Sequence, residues 1–139
     1  MSVVYVDTSA FVALLWRRDR GHEAVAAVYR SLRDERARLV TADPVIAETA
    51  TRLRYDAGLG AALRFHRVIR AATEVATLTI RESDADLRDR AFEVMRRYDG
   101  LALSYGDCVG AAVAREVRAD VILALDDDFR ILGFDLLPG

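Results

Sequence analysis

Four acidic residues occupy positions at which they could contribute to one catalytic site. Asp7 and Asp126 each follow a short apolar run that is typical of a buried strand, and Glu48 and Asp107 lie near the starts of helical segments. Carboxylates that are forced together repel one another, unless a hard cation such as Mg²⁺ or Mn²⁺ lies between them. The pattern therefore indicates an acidic site that binds a divalent metal ion.

Each acid also has a simpler structural interpretation. Asp7 could cap a helix, Glu48 could pair with Arg52 four residues later, Asp107 could belong to a capping box, and Asp126 could open a solvated turn. The segment after Asp107 is almost wholly apolar, so that its helix must be buried on more than one face. A carboxylate there carries a desolvation cost, which favours a functional role.

An alternation of strands and helices would bring these acids together. The run of β-branched residues before Asp7 is typical of a strand that is buried on both faces of a parallel sheet. Helices on both sides of such a sheet leave the site at the carboxyl ends of the strands. The predicted strands lie at 3–6, 39–41, 75–80, 121–124 and 134–137, and the predicted helices lie at 10–16, 22–36, 43–58, 59–72, 82–98 and 104–118. Thr8 or Ser9 is the predicted cap of the first helix, and Asp43 that of the third.

Composition excludes several classes of protein. The chain has 139 residues, 53% of them hydrophobic, which is typical of one compact domain. A single cysteine, Cys108, and two histidines rule out a disulfide framework and a structural zinc site, and favour a cytoplasmic location. All 20 basic residues are arginine, so P-loop NTPases, protein kinases and phospho-acceptor domains, which need a lysine, are also excluded.

Charge is distributed unevenly along the chain. Residues 1–70 carry 12 Arg against 8 acids, whereas residues 71–139 carry 8 Arg against 14 acids. This asymmetry indicates a basic face for a polyanion and an acidic site elsewhere. Arg17, Arg18 and Arg20, after the first helix, are the predicted contacts for a phosphate backbone. No run is long enough to span a membrane.

Four motifs together resemble the PIN domain family. They are VYVDTSA around Asp7, DPVIAE ending at Glu48, LSYGDC around Asp107 and ALDDDF around Asp126. Each motif is weak alone, but their order and spacing match the family over essentially the whole chain. In its compact form the chain is most similar to the VapC-type ribonuclease toxins.

The resemblance implies a fold, an activity and partners. The expected fold is one PIN domain over residues 1–139, a three-layer α/β/α sandwich with a mostly parallel sheet of about four or five strands. Asp7, Glu48, Asp107 and Asp126 are the expected catalytic and metal-binding residues, with Mg²⁺ as cofactor and Mn²⁺ as a substitute. The expected activity is endonucleolytic cleavage of single-stranded RNA that leaves a 5′-phosphate. A small protein antitoxin and a homodimer are the expected partners.

Some assignments stay open at this level. Thr8, Ser9 and Ser104 could orient a carboxylate or a bound water, or could simply cap helices. Three successive Asp residues leave the fourth acid open between Asp126 and Asp128, and Asp126 is preferred because it lies closer to the preceding strand. Two other functions also remain: a non-catalytic PIN-like binding module, and a PIN nuclease of RNA processing without a toxin role.

The first helix is the predicted antitoxin surface. Phe11, Leu14, Leu15 and Trp16 give it more apolar surface than one buried face requires, directly after Asp7. An amphipathic segment could pack there and extend an arginine toward the acids. Alternatively, Phe11, Leu14 and Leu15 pack into the core and leave only Trp16 near the surface.

Overall fold

The computed structural model describes residues 2–139 as an alternation of strands and helices. The strands are β1 Val3–Val6, β2 Arg38–Ala42, β3 Leu78–Arg81, β4 Val121–Leu123 and β5 Leu136–Leu137. The helices are α1 Thr8–Leu15, α2 His22–Asp34, α3 Asp43–Asp56, α4 Leu59–Glu74, α5 Ala85–Arg97, α6 Tyr105–Glu116 and the single turn α7 Asp128–Ile131.

The strands form one five-stranded sheet in the order β3-β2-β1-β4-β5. Every neighbouring pair is parallel, and in the centre Tyr5 of β1 pairs with Val40 of β2 and Ile122 of β4. This confirms the predicted parallel sheet. The chain leaves β1 toward β2 on one side and reaches β4 on the other, so the strand order reverses at β1, where open α/β sheets bind their ligands.

Helices cover both faces of the sheet and bury its alternating side chains. Val6 and Leu39 face a cluster from α1, α2 and α4 that includes Phe11 and Ile69. Tyr5 points to the opposite face, where α6 and α7 pack. The predicted three-layer α/β/α sandwich is confirmed. Among residues 2–139, no helix combines the length and the apolar composition needed to cross a membrane.

The first helix begins two residues earlier than predicted. Asp7, rather than Thr8 or Ser9, is its N-cap, and the Asp7 carboxylate accepts a hydrogen bond from the backbone N–H of Ser9. In α3, the N-cap is Ala42 and the predicted cap Asp43 is the first helical residue; its carboxylate accepts a bond from Ser83 N. In both places the acid at a strand end starts the following helix directly, without a loop.

Two other predicted elements begin three residues too early, and the strand predicted at 134–137 is limited to Leu136–Leu137. The strand predicted from Val75 begins at Leu78, because α4 continues to Glu74 and ends in a turn in which Ala76 adopts a left-handed φ of 60°. Helix α5 begins at Ala85 rather than at residue 82, because the side chain of Asp84 caps it by accepting a bond from Leu87 N. In both cases a helix terminus overrides the local apolar or charged pattern.

Candidate active site

The predicted acids lie at the carboxyl edge of the sheet, where the strand order reverses. Asp7 follows β1 directly, and its backbone N–H bonds to the carbonyl of Leu123, the last residue of β4. The loop after β4 carries Asp126 and Asp128. Topology therefore brings together acids from two ends of the chain that are more than 100 residues apart.

Asp7 is the most buried of these acids. It is only 7% exposed. Burial first, and then the negative charge of Asp107, raise the pKa of its carboxyl to about 6, although hydrogen bonds from Ser9 oppose the shift. An isolated aspartate in this position is therefore costly to ionise at neutral pH, and a nearby cation would lower that cost.

Asp107 is held by a capping box at the start of α6. The Ser104 hydroxyl accepts a bond from Asp107 N at 3.0 Å, and the Asp107 carboxylate accepts one from Ser104 N at 3.1 Å. The capping interpretation is thus correct for Asp107. It does not exclude a functional role, since one carboxylate oxygen fixes the helix start while the charge of Asp107 still acts on Asp7.

Glu48 projects from α3 toward the starts of α1 and α6. Its carboxylate accepts a hydrogen bond from the Thr8 hydroxyl at 3.2 Å. The same oxygen, Oε2, lies 3.4 Å from the position that a Cβ would occupy on Gly106. Among residues 2–139, Glu48 forms no ion pair with Arg52, so the interpretation of these two residues as a surface pair is wrong.

The loop after β4 offers two carboxylates with different surroundings. Asp126 is exposed, and its carboxylate accepts a bond from Asp128 N at 3.0 Å, which makes it the first residue of a turn. Asp128 is half-buried; burial raises the pKa of its carboxyl, and the charges of Asp126 and Asp107 raise it further. Asp128 therefore lies within electrostatic reach of Asp107.

Ser9 connects two parts of the acidic cluster. Its hydroxyl donates to the Asp7 carboxylate at 2.8 Å and accepts from the backbone N–H of Leu125 at 3.0 Å. The loop that carries Asp126 is thereby tied to the cap of α1. Thr8, Ser9 and Ser104 each contact a different acid of the predicted set, in addition to any capping role.

No basic side chain neutralises this cluster. In the described part of the chain, none of Asp7, Glu48, Asp107, Asp126 and Asp128 has an arginine or histidine nitrogen within 4.0 Å. Across residues 2–139, no group of three or more Asp, Glu, His or Cys side chains is arranged so that it could hold a metal ion by itself. The set is open and consists only of hard oxygen donors, which fits Mg²⁺, because that ion keeps several waters and needs only one or two carboxylates.

The predicted phosphate contacts lie at the other end of α1. Arg17, Arg18 and Arg20 are exposed in the turn between α1 and α2. This turn still borders the acidic edge, because a Cβ on Gly21 would collide with the side chain of Leu125, next to Asp126. The structure thus brings the arginine turn to the loop after β4, but not into contact with Asp7.

Two glycines in α6 escaped the sequence analysis. A Cβ on Gly110 would lie 3.0 Å from Cε1 of Tyr5, so this glycine allows α6 to pack closely on β1. Gly106, one turn earlier, leaves the space beside Glu48. The buried Tyr5 hydroxyl has no hydrogen-bond partner among residues 2–139, and burial, followed by the charge of Asp7, raises its pKa. The signal that could have identified this face is the i, i+4 spacing of the two glycines.

The apolar residues of α1 are mostly part of the core. Phe11 and Leu15 are buried. The Phe11 ring packs edge-on against the ring of Phe65 in α4, with 5.4 Å between the ring centroids. Leu14 and Trp16 are half-buried. The surface predicted for an antitoxin is therefore reduced to these two side chains.

Comparisons with known proteins agree with this geometry. The PIN domain family model matches residues 4–135. The chain is 30% identical over 133 residues to the 23S rRNA-specific endonuclease VapC20 of Mycobacterium tuberculosis, strains CDC 1551 and H37Rv, with 95% of each chain covered.

Solved structures show the same fold. The crystal structure of M. tuberculosis VapC20, described as a sarcin-ricin loop cleaving toxin, superposes with a TM-score of 0.82 at 28% identity, covering 94% of this chain and 95% of that one. VapBC2 from Rickettsia felis, bound to a DNA fragment from its promoter, matches with a TM-score of 0.71 at 13% identity, covering 96% of each chain. The second likeness concerns the fold alone.

Proposed function

The chain belongs to the PIN domain family, and from this premise we propose that it is a Mg²⁺-dependent endoribonuclease that acts as the toxin of a toxin-antitoxin pair. The observation that supports this most directly is the cluster of Asp7, Glu48, Asp107 and the acids after β4, which has no basic partner in the described structure. A relative with 30% identity over 95% of the chain is an RNA endonuclease.

In this proposal the four carboxylates bind the metal ion and Mn²⁺ can substitute for Mg²⁺. When bound, such an ion activates water and neutralises charge on the scissile phosphate. Asp7 and Asp107 would carry most of the binding, because the charge of Asp107 raises the cost of ionising the buried Asp7 carboxyl and a cation beside them would lower that cost. Asp126 is proposed as the fourth acid, and Asp128 competes with it because the charge of Asp107 reaches Asp128.

Three hydroxyl side chains would act as positioning residues. Thr8 fixes a Glu48 oxygen, Ser9 fixes an Asp7 oxygen, and Ser104 fixes the helix start that carries Asp107. In Asp7, Glu48 and Asp107, one carboxylate oxygen accepts no hydrogen bond within the described residues and stays free for other ligands. Holding the acids in this way lowers the entropy lost when metal and substrate bind.

Single-stranded RNA is the proposed substrate, and Arg17, Arg18 and Arg20 are its proposed phosphate contacts. Their turn packs beside Leu125, so an RNA strand that crosses the acidic edge would pass these guanidinium groups next. Arginine is well suited to this role, because its planar fork can bind two phosphate oxygens. The proposed location is the cytoplasm, in agreement with the single buried thiol of Cys108.

Two protein partners are also proposed. A small antitoxin would pack on the accessible side of α1, at Leu14 and Trp16, and bring a basic side chain to the acids. A second copy of the chain would cover apolar side chains at the end of α3 and the start of α4: Tyr55 is 81% exposed, and Leu59 and Leu63 are also exposed. Light scattering of the purified protein tests the homodimer.

A cleavage assay tests the activity. Purified protein is incubated with a panel of structured and single-stranded RNAs in Mg²⁺, in Mn²⁺ or in excess chelator, and the product ends are determined. We expect cleavage with either ion, 5′-phosphate products and no cleavage in chelator. Full activity in chelator would exclude the metal mechanism, and inactivity under all conditions would favour a non-catalytic binding module.

The toxin role needs a separate test in cells. Expression of the chain alone should arrest growth, and co-expression with a small protein encoded immediately upstream should relieve the arrest. An active nuclease whose expression leaves growth unchanged would instead be a nuclease of RNA processing.

A further inference from the structure

A basic cleft lies at the amino end of the sheet, opposite the acidic cluster. The cavity has a volume of about 430 Å³ and is lined by Arg33, Arg36, Ala37, Arg38, Ala76 and Thr77. Two helix-to-strand turns form its walls: the turn from α2 to β2 supplies the arginines, and the turn from α4 to β3 supplies the two small residues. None of these three arginines has a role in the proposed active site.

The charge of this cleft is largely uncompensated. Within the described residues, Arg36 and Arg38 have no carboxylate within 4.0 Å. Arg33 pairs only with its neighbour Asp34, at 3.7 Å, and both side chains are largely exposed, so that the pair is weak. Three guanidinium groups around an open cavity attract a polyanion.

The cleft and the proposed active site lie at opposite ends of the strands. Arg38 is the first residue of β2 and pairs with Val3, the first residue of β1, whereas Asp7 follows the end of β1. Along β1, the four residue steps from Val3 to Asp7 separate the cleft from the acidic cluster by about 13 Å. A ligand that reaches both places must therefore be long, and a phosphodiester chain is long as well as negatively charged.

We propose that the Arg33–Arg36–Arg38 cleft is a second RNA contact, which binds backbone phosphates of the substrate at a distance from the scissile bond. This inference rests on the proposed function for the identity of the ligand. The contact carries no sequence information, because guanidinium groups on phosphates respond to charge and spacing alone. It would favour long or structured RNAs over very short ones, since a longer RNA can contact the acids and the cleft at the same time and places more phosphates near the arginines.

Binding in chelator separates this contact from catalysis. A labelled 30-nucleotide RNA hairpin and a labelled tetranucleotide are titrated with the protein in EDTA at several salt concentrations, and fluorescence anisotropy is recorded. The variants are Arg36→Gln/Arg38→Gln and Arg36→Gly/Arg38→Gln. The second variant protects the fold, because Arg36 has a left-handed φ of 58°, which glycine adopts without strain. Arg88→Gln, at an exposed arginine of α5 without an ion pair in the described chain, is the matched control.

The expected result is selective for long RNA. Both double variants should bind the hairpin roughly tenfold more weakly near physiological salt. The slope of log K against log salt should fall by about 1 for each lost arginine contact, about 2 in all. The tetranucleotide has fewer phosphates to contact the cleft, so its loss of affinity in the double variants should be smaller than that of the hairpin, and Arg88→Gln should behave as wild type. Equal hairpin affinity and slope in wild type and both double variants, or an equal loss in Arg88→Gln, would overturn the proposal.

The same samples distinguish the two proposals from each other. If wild type binds the hairpin through the cleft but does not cleave RNA in Mg²⁺, the nuclease proposal fails and the cleft is supported. If wild type cleaves RNA but the double variants bind as wild type does, the cleft is excluded and the nuclease is not. Absence of any hairpin binding by wild type at low salt in EDTA would overturn the cleft, whereas cleavage in Mg²⁺ decides on the nuclease separately.

Discussion

The Asp7 side chain caps a helix and is also buried, which makes it costly to ionise. Its carboxylate caps α1 through Ser9 N, and its burial, with a smaller contribution from the charge of Asp107, raises its pKa to about 6. An aspartate in an unfolded chain has a pKa near 3.9. The folded protein therefore binds more protons than the unfolded chain between about pH 4 and pH 6, so its stability falls as the pH rises through this interval.

The first prediction follows from the stability that the folded protein loses when Asp7 ionises. In metal-free protein at pH 7, Asp7→Asn should raise the free energy of unfolding by up to about 3 kcal/mol, because asparagine keeps the cap but carries no charge. The gain should shrink as the pH is lowered toward 4. Denaturant unfolding of both proteins at several pH values measures it, with Asp89→Asn, an exposed acid of α5, as control. A loss of stability at pH 7 would show that capping by the carboxylate outweighs repulsion.

The second prediction concerns the fourth acid. Asp126→Asn should reduce RNA cleavage more than Asp128→Asn does, because Asp126 lies nearer the end of β4 and is exposed to an incoming ligand. Cleavage rates of the two variants at saturating Mg²⁺ decide the order. A larger loss in Asp128→Asn would assign the role to Asp128, whose carboxyl is influenced by Asp107.

At the level of elements, the site depends on how the start of α1 is tied to the loop after β4. The Ser9 hydroxyl makes this connection between Asp7 and Leu125 N. The third prediction is that Ser9→Ala lowers cleavage roughly 10- to 100-fold, in keeping with the loss of a residue that orients metal ligands. The free energy of unfolding should fall by only about 1 kcal/mol.

A purely structural role for Ser9 would give a different pattern. Raised Mg²⁺ should recover part of the activity of Ser9→Ala, because the loss is in ligand orientation. Ser31→Ala, at an exposed serine of α2, should leave both activity and Mg²⁺ dependence unchanged. Activity that falls in Ser9→Ala without any change in the Mg²⁺ concentration needed for half-maximal rate would exclude the positioning role.

The elements themselves were predictable to the extent that local signals agreed with packing. Each of the five strands was predicted in the right place because its apolar run is buried in the sheet. Boundaries failed where a cap decided them: the side chains of Asp7 and Asp84 start α1 and α5, and a left-handed turn at Ala76 delays β3. Such hydrogen bonds and turns involve a few atoms and leave little trace in apolar periodicity.

The acids were predictable from their positions at strand ends and helix starts, but their contacts were not. The bond from Thr8 to Glu48 joins residues 40 positions apart and depends on how α3 packs beside α1. Likewise, the effect of Asp107 on Asp128 depends on the path of the loop after β4. Tertiary geometry of this kind is not encoded in the residue types alone.

On the scale of the whole molecule, charge is segregated between the two ends of the sheet. The carboxyl end carries the acidic cluster, and the amino end of β2 carries the arginine cleft. The segregation is incomplete, because the turn with Arg17, Arg18 and Arg20 borders the acidic edge at Leu125. A long RNA would be attracted to the basic end while its scissile phosphate needs a metal ion to approach the acidic end.

The fourth prediction tests the antitoxin surface. Trp16→Ala should weaken the complex with the protein encoded immediately upstream by at least roughly tenfold, because exposed aromatic side chains dominate such interfaces. Trp16→Phe should retain binding and controls for folding, since Trp16 is half-buried. Co-expression and pull-down measure binding. Unchanged binding in Trp16→Ala, together with a complex that still cleaves RNA, would place the inhibitory surface elsewhere.

The most direct test of the account is RNA cleavage by Asp107→Asn. Asparagine can still accept the bond from Ser104 N, so that α6 begins normally, but it removes the negative charge that acts on Asp7. At saturating Mg²⁺ the account predicts a loss of roughly 10²-fold or more in cleavage rate, with an unchanged circular dichroism spectrum. Cleavage at the wild-type rate by folded Asp107→Asn would contradict the claim that these carboxylates form a metal-dependent nuclease site.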